Sequence, residues 1–290
     1  MAKIAYKDIR FKRATRDMLT LIDAITEEYV DKGFTLTVRQ LYYQLVARGH
    51  IENNTKNYKN IANIVNDGRM AGLIDWDAIE DRTRYTRSNT HWMSPQQILK
   101  AAADSYMKDR RLTQPVYLEA WIEKDALVGV LEQTANAQDV PCFSCRGYPS
   151  TSAVRDAATR FLQEGHRRAR VILYAGDHDP SGLDIPRDIS DRLRDFGADV
   201  TVKRIALTTE QVQQYNPPPN PAKETDTRAA GYIKQHGVYS WELDALDPQV
   251  LSDLYRREIE ALTDSALDQQ RVRAEDADRD KLIAVYRNWN

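Results

Sequence analysis

Cysteine is nearly absent from this 290-residue chain: only Cys142 and Cys145 occur, in Pro141-Cys-Phe-Ser-Cys145. A structural zinc ion needs about four ligands, and no partner pair of Cys or His stands nearby. A redox Cys-x-x-Cys opens a helix, whereas this stretch reads as a strand, so buried or half-buried thiols are expected. No apolar run nears the ~20 residues that span a bilayer, and no signal peptide is recognisable. With 29% charged residues and a mean hydropathy of −0.63, the expected location is the cytoplasm. A phosphate-binding Gly-x-x-x-x-Gly-Lys loop is missing, as are internal repeats and low-complexity segments. Net charge is only −2, so total charge does not mark a nucleic-acid binder.

Hydrophobic residues make up 42%, enough for sizeable cores in one large or two modest domains. Charge is unevenly placed. Residues 1–95 hold 15 Lys+Arg against 12 Asp+Glu, and the rest 26 against 31. A mildly basic first part and an acidic second part fit a DNA-holding and a metal-holding division.

Val171-Ile-Leu-Tyr-Ala175 reads as a buried parallel strand. It runs into Gly176-Asp-His-Asp-Pro-Ser-Gly182, where a strand cannot continue, and a helical pattern of Ile185, Ile189 and Leu193 follows. Asp177 and Asp179 thus stand at the carboxyl end of a strand, where open α/β sheets place their sites. Paired carboxylates suit Mg²⁺, which takes oxygen ligands. An acidic turn capping the next helix is the other reading. A second strand, Val116–Ile122, also ends in a carboxylate, Glu123, before a helix. Further strands near Val140–Ser144 and Asp199–Leu207 alternate with helices Asp125–Ala137, Thr151–Gln163 and Ile185–Phe196. That alternation predicts a mainly parallel sheet with helices on both faces, hence an α/β fold. Gly147, at another strand end, suits either close approach of a phosphate or a tight turn.

Ahead of this lie three helical patterns, Thr15–Val30, Val38–Arg48 and Thr55–Val65. Thr37-Val-Arg-Gln40 is a capping box for the second. A strand candidate at Gly72–Trp76 and the basic stretch Arg82–Arg87 follow, a pattern that predicts a winged helix at residues 1–95. The third helix presents Lys56, Asn57, Lys59, Asn60 and Asn63 on its polar face, and with Arg82 and Arg84 these are the DNA-binding candidates. A plain three-helix domain with a solvated face is the alternative. On the second helix Val38, Leu41, Tyr42 and Leu45 share one stripe, so Tyr42 reads as core. Tyr43 points off that stripe, one turn after Arg39. An off-core tyrosine beside an arginine can attack a phosphodiester if the arginine holds the phosphate and favours phenolate, since a free phenol titrates near pH ~10. An amphipathic surface tyrosine is the alternative. Residues 96–113 read as a connecting helix.

Arg39-Gln-Leu-Tyr-Tyr43, Glu123-Lys-Asp-Ala126, Arg146-Gly-Tyr-Pro149 and Gly176-Asp-His-Asp-Pro-Ser-Gly182 together resemble motifs of the topoisomerase VI A subunit, the meiotic double-strand-break protein and the small phage and plasmid mini-A proteins, and Trp241-Glu-Leu-Asp-Ala-Leu246 also resembles the mini-A proteins. The motifs are specific jointly, and the resemblance covers nearly the whole chain. It implies a winged helix at 1–95, a connection at 96–113 and a Toprim metal-binding domain with a C-terminal extension at 114–290. It further implies that Tyr43 attacks DNA, leaving a 5′-phosphotyrosine and a free 3′-OH, while Arg39 clamps the phosphate and Glu123, Asp177 and Asp179 hold Mg²⁺. In that family the tyrosine of one subunit serves the metal site of another, so a homodimer on double-stranded DNA is expected. The ATP-binding motifs of the B subunit are missing, so ATP-driven strand passage would need a separate ATPase partner. His178 departs from the family pattern as a possible extra ligand or DNA contact, and Glu242 and Asp244 receive no role. A Toprim nuclease that activates water and a non-catalytic winged-helix DNA binder are the rival readings.

Overall fold

The computed structural model describes residues 3–80, 89–164, 168–223 and 225–289. Three helices open the chain: α1 (Arg13–Asp31), α2 (Val38–Ala47) and α3 (Thr55–Met70). The expected capping box on α2 is present in both directions between Thr37 and Gln40. It satisfies backbone donors that a helix start leaves open. Gly33 and Gly49, at φ +83° and +73°, end α1 and α2 in a backbone region costly for other residues. Asn54, not Thr55, caps α3, accepting from the Asn57 N–H at 2.8 Å.

Gly72–Trp76 is a turn, not the expected strand. Arg69 donates to the Trp76 carbonyl at 2.8 Å and Asp75 caps the Asp77 N–H, which folds the segment back on α3. Only single bridges join Ala5 to Ala71 and Leu36 to Ile79. Arg82, Arg84 and the rest of the expected wing lie outside the described residues.

Helix α4 (Pro95–Ser105) is shorter than the expected connection, because Tyr106 turns extended. The sheet follows: β1 (Val116–Ile122), a short 3₁₀ turn, α5 (Val128–Asn136), β2 (Cys142–Ser144), α6 (Thr151–Gln163), β3 (Ala169–Ala175), α7 (Pro180–Asp195) and β4 (Thr201–Ala206). All four strands pair in parallel in the order β2-β1-β3-β4. Both faces are covered, as parallel sheets require. Alternate β1 residues Leu118, Ala120 and Ile122 join a cluster with α5 and α10 (Pro248–Ala261). Trp121 faces the other way, against α6 and α7. The first cluster also takes in Ile22, Leu41 and Leu45 of the opening helices, so one apolar core continues from those helices into the sheet. Each such fully buried side chain contributes about 1.5–3 kcal/mol.

Four smaller pieces follow β4: α8 (Thr209–Tyr215), β5 (Asn220–Pro221), α9 (Ala229–His236) and β6 (Tyr239–Ser240). After α10, α11 (Ser265–Arg287) packs along α4. Arg110 ties the chain after α4 to Asp268 of α11 through two hydrogen bonds, at 2.9 and 2.6 Å. No described helix is long and apolar enough to cross a membrane. Cys142 is half-buried and Cys145 buried, as expected, and burial pushes both thiols above their usual range.

Candidate active site

Strand register assembles the acidic centre. Ile122 lies opposite Ala175, so both strands end together and Glu123 meets the Gly176–Gly182 loop. Glu123 Oε2 accepts the Asp177 N–H at 2.9 Å and the Tyr174 hydroxyl at 3.3 Å. Gly176 is required here, because a Cβ would lie 2.5 Å from Glu123 Oε2. Gly182 is required as well, since its Cβ would lie 2.2 Å from the Asp177 carbonyl. A Cβ at Gly147 would meet nothing within 4 Å, and Arg146 and Gly147 are both at positive φ.

Asp179 fulfils the capping alternative: its Oδ1 accepts the Gly182 N–H at 2.6 Å and heads α7 five residues before the expected start. Only its second oxygen remains for other work. Asp177 is buried, with Oδ1 accepting the Leu243 N–H at 2.7 Å and Oδ2 3.0 Å from Lys124 Nζ. Burial raises the Glu123 carboxyl. Burial, and behind it Glu123, push the Asp177 carboxyl up to about 7 against the pull of Lys124.

Lys124 is the hub. Its ammonium also lies 2.8 Å from Glu242 and 2.8 Å from Asp244. Burial works against its charge, but Asp177, Asp244 and Glu242 together outweigh burial and hold its pKa above the lysine range. Glu242 in turn pairs with Arg39 of α2, and Asp244 lies 3.5 Å from the same guanidinium. Burial would raise Glu242, yet Lys124 and Arg39 bring it below the usual carboxylate range. Helix α2 therefore stands beside the acidic centre of its own chain.

Tyr43 is not off the core. It is 3% exposed, as is Tyr42. The wheel registers only its own helix, and the later segment at Asn220 covers this face: Asn220 donates to the Tyr43 hydroxyl at 3.4 Å. Burial, and then Glu242, raise its phenol; Arg39 lowers it too little to favour phenolate. Tyr42 is core as expected, and its hydroxyl donates to Asn53 at 2.9 Å. Tyr43, Arg39, Asn54, Thr55, Asn220 and Glu242 line a 440 Å³ cavity, so the first turn of α3 opens onto the tyrosine. A second cavity of 480 Å³ shares Arg39 and Tyr58 and extends to Asp125, two residues past Glu123. On α3, Lys56 and Lys59 are exposed, whereas the Asn57 amide is engaged with the Glu52 carbonyl.

Both ring nitrogens of His178 are engaged within its own chain. The residue is 1% exposed, with Nδ1 2.9 Å from the Tyr232 hydroxyl and Nε2 3.0 Å from Thr209 Oγ1. Burial, then His236, lower its pKa to about 4, so the ring is neutral and fastens α8 and α9 to the sheet edge. Two further contributors were missed in the sequence. Arg204 donates to the carbonyls of Gly176, Asp177, Gly182 and Leu207, pinning the acidic loop. Its neighbour Lys203 is also charged, so nothing in the sequence of β4 singled Arg204 out. Leu243 holds Asp177 through its backbone N–H, for which no side-chain signal exists.

No three His, Cys, Asp or Glu side chains among the described residues are arranged as a ready metal site. The donor set nonetheless suits a hard cation. Glu123 and Asp177 are adjacent buried carboxyls, and in this centre Glu123, Asp177, Asp179, Glu242 and Asp244 outnumber Lys124, Arg39 and Arg204. No family model matches the chain, and no curated protein does.

Proposed function

We propose that the protein is a magnesium-dependent DNA-cleaving transesterase of the topoisomerase VI A kind, built from a winged-helix part and a Toprim part. One observation carries the reading: Arg39 and Tyr43 share a cavity with Glu242, and Glu242 joins through Lys124 to Asp177 beside Glu123. A phenol, a phosphate-binding guanidinium and an acidic centre are thus continuous. The opening turn of α3 adds backbone N–H groups suited to a phosphate.

In this reading Arg39 leaves Glu242 for a backbone phosphate, as a guanidinium pairs well with phosphate. Tyr43 Oη forms a bond to phosphorus, the bond from phosphorus to the 3′ oxygen breaks, and the DNA 5′ end stays on the tyrosine. The phenol proton passes to solvent, and the departing 3′ oxygen takes up a proton. A magnesium ion, held by Glu123, Asp177 and the second oxygen of Asp179, would supply positive charge for the phosphate and departing oxygen. Lys56 and Lys59 bind flanking phosphates. Cutting both strands calls for two copies of the chain, and strand passage for a separate ATPase. The burial of Tyr43 favours one rival, hydrolysis by an activated water.

Supercoiled plasmid with protein and Mg²⁺, quenched in detergent, separates the two. Linear or nicked DNA that stays with protein until protease is added supports transesterification. Cut DNA free of protein before protease supports hydrolysis, and uncut DNA refutes both.

A further inference from the structure

We propose that Lys124 is a built-in counter-ion of the acidic centre, which a divalent cation must displace in order to bind. The inference rests on the proposed magnesium site and adds a role for a residue to which that site gives none. Both oxygens of Asp177 are engaged: Oδ1 with the Leu243 N–H at 2.7 Å, Oδ2 with the Lys124 ammonium at 3.0 Å. The first partner is backbone and stays with its chain. The second is the end of a flexible side chain and is the one that can leave.

The ammonium is well placed to be such a counter-ion. It reaches Asp177, Glu242 and Asp244, which come from the end of β3 and the turn after β6, at 2.8–3.0 Å. Asp244 has a fully buried side chain, and its Oδ1 has no hydrogen-bond partner. A buried carboxylate left without a cation is strongly unfavourable; Asp244 has the Lys124 ammonium at 2.8 Å and the Arg39 guanidinium at 3.5 Å, so it keeps a cation when the ammonium moves. Lys124 also retains 20% exposure of its side chain, which gives it a path outward. When a divalent ion takes Asp177, the ammonium swings away from Oδ2 and Glu242 gives up one of its two cations.

The test measures Mn²⁺ binding, by titration calorimetry and electron paramagnetic resonance, to the full chain and to Lys124→Gln and Lys124→Met. Removing a competing charge ~3 Å from the ligand oxygen should tighten Mn²⁺ at least about tenfold. Equal affinity in wild type and folded variants overturns the inference while leaving the magnesium site standing. Absence of Mn²⁺ binding in all of them removes both. A second measurement needs no variant. Acylation of lysines in the wild type, read by mass spectrometry, should show Lys124 reacting faster once Mn²⁺ is added, with the remote Lys100 unchanged. Unchanged or slower reaction of Lys124 in saturating Mn²⁺ overturns the inference.

Discussion

Tyr43 rests as a poor nucleophile: its phenol is buried, raised above its ordinary pKa and close to Glu242. Releasing Arg39 from Glu242 onto a phosphate would change that balance at one position. Tyr43→Phe removes one hydroxyl and a single 3.4 Å hydrogen bond from Asn220. It should abolish the protein–DNA adduct and leave urea stability within about 1 kcal/mol. Tyr42→Phe removes the hydroxyl bonds to Asn53 and Asn54. It should cost about 1–2 kcal/mol and keep cleavage. Asp177 sets a pH dependence. An unfolded Asp releases its proton near pH ~3.9, and the folded carboxyl is pushed up to about 7. The folded state therefore binds more protons between these values, and this contribution makes stability fall as pH rises from about 4 to about 7. Metal-free protein should lose melting temperature across that range more steeply than Asp177→Asn. Added Mg²⁺ should raise the melting temperature more at pH 7.5 than at pH 5; the opposite order would place the metal elsewhere.

At the scale of elements, the centre depends on how the Gly176–Gly182 loop is held. Arg204 of β4 binds four of its surrounding carbonyls, and Gly182 leaves no room for a Cβ. Arg204→Met should cost about 2–4 kcal/mol, because each buried carbonyl left without a donor is unfavourable. It should also weaken Mn²⁺ binding; retention of full stability would show that the loop holds itself. Much of this was legible in the sequence. The apolar runs of β1 and β3, the capping box at Thr37 and the stop at Gly49 are local signals, and the structure has them. What was not legible depends on distant residues. The wheel of α2 could not show that Asn220 covers Tyr43, nor could the Asp-x-Asp pattern show that Asp179 caps α7 while Asp177 takes the Leu243 N–H. His178 was ambiguous for the same reason: its partners Tyr232 and Thr209 stand on helices with little periodic signal. The turn at Gly72–Trp76 was misread for a different reason: its apolar residues mimic a strand, while the local Arg69 hydrogen bond that bends it carries no periodic signal.

At the scale of the molecule, one apolar core joins the opening helices to the sheet, and the two cavities follow that seam past Arg39. DNA entering there would meet Lys56 and Lys59 on the exposed face of α3. Removing one lysine–phosphate ion pair should lower the slope of log K against log salt by about one. Lys56→Ala and Lys59→Ala should each do so for any DNA sequence, and unchanged slopes would move the duplex to another face. The central claim is that Tyr43 becomes covalently joined to DNA, and peptide mass spectrometry tests it most directly. Protein incubated with Mg²⁺ and plasmid is denatured, treated with nuclease to leave a nucleotide stub, and digested with trypsin, which cuts after Arg39 and Arg48. The account predicts a nucleotide mass on Gln40–Arg48 that fragmentation assigns to Tyr43. A stub on Tyr42 or on another peptide, or cleaved plasmid with no modified peptide at all, would contradict it.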